Sequence, residues 1–116
     1  MPKYRVVLQR RALDDLDQAY RNAAKNAPVT AARWVNRFQA SLKTLEHNPQ
    51  RCPLASENRK TNRAELHEYL YGRRPNVFRA IYMIDGDAVR ILRIRRASQR
   101  HLTRGDIDHA LNEADE

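Results

Sequence analysis

The sequence predicts a single α+β domain: an N-terminal strand, an α-helical hairpin, then a three-stranded antiparallel meander. Three observations carry this expectation. Two stretches in the first half repeat their apolar residues at steps of three and four, the period of a helix with one buried face. Three stretches in the second half are rich in β-branched and aromatic residues, as strands are. The last two of these flank Asp85-Gly86-Asp87, and Asp-Gly between β-rich runs is a strong hairpin signal. At 116 residues without an internal repeat, the chain is one domain, 1–116, with a core over about 4–102 and a tail over 103–116.

Residues 4–9, YRVVLQ, read as the first strand. Leu13, Leu16, Tyr20, Ala23 and Ala27 then mark one face of a first helix. Asp14, Asp15 and Asp17 stand in its early turns, where negative charge suits the helix dipole, and Pro28 ends it. A second helix is expected to start near Thr30 as its N-cap and to align Ala31, Val35, Phe38, Leu42 and Leu45 before stopping at Asn48-Pro49. Residues 49–63 are polar and hold two prolines, the signature of a long loop and the expected mobile segment. Strands follow over 65–71, 76–84 and 88–95. The tail GDIDHALNEADE suits a short, frayed helix from about Asp106.

Alternation along the hairpin sorts its residues onto two faces. Phe78, Ala80, Tyr82 and Ile84 fall with Val89 and Ile91, and continue into Arg93 and Arg95; this face is expected to bury against the helices. Val77, Arg79, Ile81 and Met83 fall with Arg90, Leu92, Ile94 and Arg96. That mixture of arginine with large aliphatics fits either a half-solvated sheet or a docking face for a partner.

Charge sharpens the question. The net charge is +8, and the segment from Arg59 to Arg104 holds twelve basic residues against four acids, so it carries the whole excess. Such concentration favours an anionic partner, nucleic acid or an acidic protein. With 41% hydrophobic and 31% charged residues the composition is globular, not disordered. Cys52 is the one cysteine, which excludes an internal disulfide and fits a reducing cytoplasm. No apolar run is long enough for a membrane, and the N-terminus lacks a signal-peptide region, so a cytoplasmic protein is expected. His47, His67, His101 and His109 lie in separate elements without ligand spacing, and no glycine-rich phosphate loop occurs, so neither metal nor cofactor is expected.

An arginine cluster with a few Tyr and His suits metal-free RNA cleavage. The attacking 2′-hydroxyl needs a base, the phosphorane needs positive charge and the leaving oxygen needs a proton. Arg79 sits mid-strand, Arg96 and Arg100 lie at or past the end of the next strand, and Tyr69, Tyr71, Tyr82 or His101 are the groups available as a base.

Three stretches in order, ARWVNRFQASLKTLEHNP, CPLASE and ELHEYLYGRRPNVFRAIYMIDGDAVRILRIRR, resemble the RelE/ParE superfamily of toxins from type II toxin–antitoxin systems, in its plasmid-stabilisation branch. The likeness spans about residues 4–102. It implies a growth-arresting protein neutralised by a small antitoxin encoded beside it, with operator DNA reached only through that antitoxin and no membrane involved. RelE-like members cut mRNA in the ribosomal A site, whereas ParE-like members inhibit DNA gyrase and need no catalytic residues. For an mRNA-cutting member the resemblance implies roles for Arg79, for Arg96 or Arg100, and for His101; no Tyr follows Tyr82 to supply the usual C-terminal tyrosine. For binding target or antitoxin it points to Arg73, Arg74, Arg79, Ile81, Arg90, Leu92, Arg93, Ile94, Arg95 and Arg96. The resemblance favours a ParE-like toxin that inhibits gyrase without hydrolysis, and leaves open a RelE-like endoribonuclease or a non-toxic homologue that only binds the antitoxin.

Overall fold

The computed structural model describes residues 3–115. Strand β1 (Arg5–Leu8) runs into helix α1 (Arg10–Ala24), which turns back through helix α2 (Pro28–Lys43). Strands β2 (His67–Tyr71), β3 (Phe78–Asp85) and β4 (Ala88–Arg96) form the meander, and helix α3 (Arg104–Ala114) closes the chain. The sheet has the order β1-β4-β3-β2, so β1 reaches across to pair in parallel with β4 while the meander is antiparallel. This is the α+β architecture that the sequence predicts.

The hairpin turn sits where Asp-Gly places it. Asp85 pairs with Ala88, and Gly86 takes a positive φ of 59°, which the mirror-image hairpin turns require and glycine adopts without steric cost. Pro28 does not follow the first helix at a distance; it is the first residue of α2, where its missing N–H costs nothing and its fixed φ suits the helix. Ala27 therefore stands at the N-cap, and Thr30 lies inside the helix rather than before it. On α1 the buried positions are Ala12 and Leu16 with Ala19 partly covered, one step round from the predicted stripe, and Leu13 is exposed.

Both faces of the sheet are covered. The helical hairpin lays Ala12, Leu16, Phe38 and Leu42 on Phe78, Ala80, Tyr82, Val89, Ile91 and Ile94. On the opposite face, α3 and the segment before β2 bring Ile107, Ala110, Leu111, Ala55 and Leu66 onto Ile81 and Leu92. The tail is thus a packed helix rather than a frayed one. It starts at Thr103 with a reciprocal capping box: the Thr103 hydroxyl accepts from the Asp106 N–H, and the Asp106 carboxylate accepts from the Thr103 N–H. The polar stretch 49–63 likewise contains two short 3₁₀ turns and is fastened to β2 by the Glu68 N–H to the Pro53 carbonyl, and just before the strand by the Ala55 N–H to the Leu66 carbonyl, so it is an ordered cover for the sheet.

One irregularity changes the faces. Ile81 opposes Arg93 but its neighbour Tyr82 opposes Ile91, so Leu92 is an extra residue, a β-bulge in β4. A one-residue slip sends every later side chain to the other side of the sheet. Ile94, expected beside Arg79, therefore joins the helix-side core, while Arg93 and Arg95, expected on that side, move to the α3 side opposite Ile81 and Arg79. Arg96 comes to lie over the Phe78 ring, its guanidinium carbon 5.5 Å from the ring centre.

Candidate functional site

Arg79 lies in the middle of β3 and is 4% exposed. A guanidinium there needs partners, because a buried unpaired charge is very costly. It has two. Nη1 and Nη2 donate to the Glu57 carboxylate at 3.1 and 2.6 Å, and Nε donates to Glu68 on β2. Glu57 is itself fully buried and also accepts the Leu102 N–H at 3.0 Å. Burial alone would push its carboxyl up, but the hydrogen bonds from Arg79 and Leu102 outweigh it and hold the group down at about 2. The charge of Arg79 is thereby matched by two carboxylates, and no donor of its guanidinium faces an open surface. Glu57, which makes this possible, was not among the residues picked out from the sequence. A lone Glu in a polar loop gives no signal of burial; the strand neighbour Glu68 does.

The other predicted residues separate into three groups. Ile81 and Leu92 are buried under the packed tail helix α3, so neither lies on a docking face, and the bulge turns Ile94 to the other side, under the helical hairpin. Arg90 and Arg93 are engaged in structural pairs, Arg90 with Asp85 at 2.9 Å and Arg93 with Asp15 of α1 at 2.8 and 3.1 Å. Asp15 also accepts the Ile94 N–H, on the side of β4 where β1 has ended. Arg73, Arg74, Arg96 and Arg100 are exposed at one end of the sheet, and Arg95 is half-buried beneath them. Arg96 is held by Asn76 at 3.2 Å and by Phe78, and Arg95 donates to the Arg100 carbonyl at 2.8 Å. The loop that carries Arg73 and Arg74 is set by Gly72, whose φ is 104°.

None of the groups available as a base is hydrogen-bonded to an arginine of this basic end. Tyr82 is buried, its hydroxyl donates to the Pro49 carbonyl at 2.6 Å, and burial raises its pKa. Tyr69 shares a hydrogen bond with Ser41, Tyr71 stacks on Phe38, and His101 bonds Ser56 through Nδ1 at 2.9 Å. Among the described residues no group of three His, Cys, Asp or Glu could hold a metal ion.

Beside the basic end the helical hairpin parts from the sheet and leaves a groove of about 550 Å³. Phe78 and Ile94 of the sheet and Trp34 of α2 form its apolar lining, Arg95 and Arg96 stand on one side, and Asp15, Gln18 and Asn22 of α1 on the other. Its width follows from residue size. Ala19, Ala23, Ala27 and Ala31 line the helical wall where larger residues would fill the gap. The alanines come from both helices, Ala19 and Ala23 from α1 and Ala27 and Ala31 from the start of α2, so the sequence, which places Ala23, Ala27 and Ala31 on packing stripes, does not show the groove.

The arrangement offers an apolar trough with a cation at its rim, suited to an amphipathic acidic segment. No curated protein sequence matches the chain. Among solved structures, a chain of the chromosomal ParDE TA system from P. aeruginosa superposes with a TM-score of 0.65 at 22% identity, covering 83% of this chain and 98% of that one. A mutant of the E. coli toxin RelE in its free state covers 97% of this chain and 94% of its own, with a TM-score of 0.48 at 14% identity. The first of these shares the fold described above. Residues 6–101 match the family described as the ParE toxin of type II toxin-antitoxin system, parDE. That match takes in β1, the helical hairpin, the whole meander and the basic end, and the chain belongs to the ParE toxin family.

Proposed function

We propose that this ParE-type toxin arrests growth by binding DNA gyrase, without cutting RNA, and that its antitoxin silences it by seating a segment in the groove between the helical hairpin and the sheet. The state of Arg79 carries the reading. In mRNA-cutting relatives, as the resemblance implies, an arginine at this place stabilises the scissile phosphate. Here the guanidinium is buried and spent on Glu57 and Glu68. A phosphate would have to displace two carboxylates from a site that water does not reach. Gyrase inhibition makes no such demand, since it needs affinity and not a reacting group. The exposed Arg73, Arg74, Arg96 and Arg100 supply a basic surface for that target, and Arg96, over Phe78 at the groove, a cation for acids of the antitoxin.

The test is induction of the toxin alone and together with its antitoxin in cells carrying a reporter plasmid. The expected result is growth arrest with relaxed plasmid and a DNA-damage response, all reversed by the antitoxin. Arrest with normally supercoiled plasmid would reject gyrase as the target, and no arrest at all would favour a homologue that only binds the antitoxin.

A further inference from the structure

The two helices of the hairpin differ in charge in a way that solvation does not explain. α1 carries Arg10, Arg11 and Arg21 against Asp14, Asp15 and Asp17 and sums to zero. Its charges are largely engaged: Arg21 pairs with Asp17, Arg11 with Glu113 and Asp15 with Arg93. α2 carries Arg33, Arg37 and Lys43 and no acid. No acid occurs anywhere from Gln18 to Leu45, a stretch with five basic residues. The nearest acid past the helix, Glu46, lies 3.7 Å from Lys3. Among the described residues, Arg33, Arg37 and Lys43 have no carboxylate partner, and all three are exposed. A helix face that is merely solvated mixes its signs, as α1 does.

The arrangement around the helix is also informative. With a residue turning about 100° from the last, Asn36 and Ala40 fall on a strip between Arg33 and Arg37 on one side and Lys43 on the other. Asn36 and Ala40 are exposed. A small and amide strip flanked by cations is what a helix presents when its middle enters a groove and its flanks meet phosphates. The groove beside Trp34 lies about 160° round α2 from Asn36 and about 120° from Ala40, so an occupant there leaves that strip free.

We infer that the outward face of α2 binds duplex DNA, with Arg33, Arg37 and Lys43 on backbone phosphates and Asn36 and Ala40 toward the major groove. B-form DNA admits a helix in its major groove, whereas the deep, narrow major groove of duplex RNA does not. This surface acts whichever target the toxin has. It also gives the toxin a direct hold on DNA, beyond contact made through an antitoxin.

The experiment measures binding of the purified full chain to a fluorescent mixed-sequence DNA duplex by anisotropy over a range of salt. Two triple variants are compared that lose the same charge: Arg33→Gln/Arg37→Gln/Lys43→Gln on α2, and Arg10→Gln/Arg59→Gln/Arg104→Gln at exposed positions elsewhere. The α2 triple is expected to bind at least about 10-fold more weakly at low salt, with a log–log salt slope shallower by about 3, one counterion release per lost phosphate contact. The control triple is expected to keep most of the wild-type slope. Equal losses in the two triples would reduce the effect to net charge and overturn the inference. So would failure of the wild type to bind duplex DNA, or tighter binding to duplex RNA of the same sequence.

Discussion

Replacing Glu57 by Ala strikes the contact on which the functional reading rests. The substitution removes two charge-assisted hydrogen bonds from Arg79, at 3.1 and 2.6 Å, and the acceptor of the Leu102 N–H. Arg79 keeps Glu68, so its charge is not left bare, and the loss falls at the lower end of what breaking a buried pair costs, about 3 kcal/mol. The depression of the Glu57 carboxyl by Arg79 and the Leu102 N–H, against its burial, points the same way. For a domain of this length a loss of about 3 kcal/mol lowers the thermal midpoint by about 12 °C. Because the folded carboxyl is depressed, its contribution is complete above pH 4.5 and disappears as the pH falls toward 2. The midpoints of wild type and Glu57→Ala, measured by circular dichroism, should therefore differ fully at pH 7 and converge in acid. Adding Arg79→Met should recover part of the loss, since removing both partners leaves no buried charge alone. A Glu57→Ala protein as stable as wild type at pH 7 would refute the reasoning, and Arg79 would have to be counted as available.

Three further outcomes follow from the geometry. Gly72→Ala places a Cβ 2.4 Å from the Asn76 carbonyl oxygen at a φ of 104°, and should cost about 1–3 kcal/mol in urea unfolding; an unchanged midpoint would contradict the strain assigned to this loop. Asp15→Ala frees Arg93 and the Ile94 N–H together and should destabilise by about 2 kcal/mol, so a loss within about 0.5 kcal/mol would show the pair to be incidental. Ala23→Trp fills the groove from an exposed position, and calorimetry should find antitoxin binding at least about 10-fold weaker while the thermal midpoint stays put; full affinity would place the antitoxin elsewhere.

The order of elements was legible because each announces itself locally: the period of the helices, the β-rich strands, and the Asp-Gly turn. What was not legible depends on pairing across the chain. The bulge at Leu92 leaves no local trace, since ILRIRR alternates as well before it as after, yet it decides which face Arg93, Ile94 and Arg95 join. The tail has few apolar residues, and only the sheet beneath shows that Ile107, Ala110 and Leu111 suffice to cover Ile81 and Leu92. Arg79 meets Glu68 on the strand beside it, but Glu57 lies in the loop before β2 and meets Arg79 only in the fold. The basic end fared better. Arg73, Arg74, Arg96 and Arg100 follow glycine or the end of a strand, and a charge in such a place reaches solvent under most pairings.

The arginine at the centre of β3 is held by two carboxylates, as a structural residue is. The most direct measurement supplies the purified protein to ribosomes programmed with a defined mRNA, in amounts that inhibit supercoiling by gyrase, and maps the RNA ends. Intact message is the predicted result, for wild type and Arg79→Lys alike. Cleavage within codons in the A site, lost in Arg79→Lys, would contradict it and return Arg79 to the reacting phosphate.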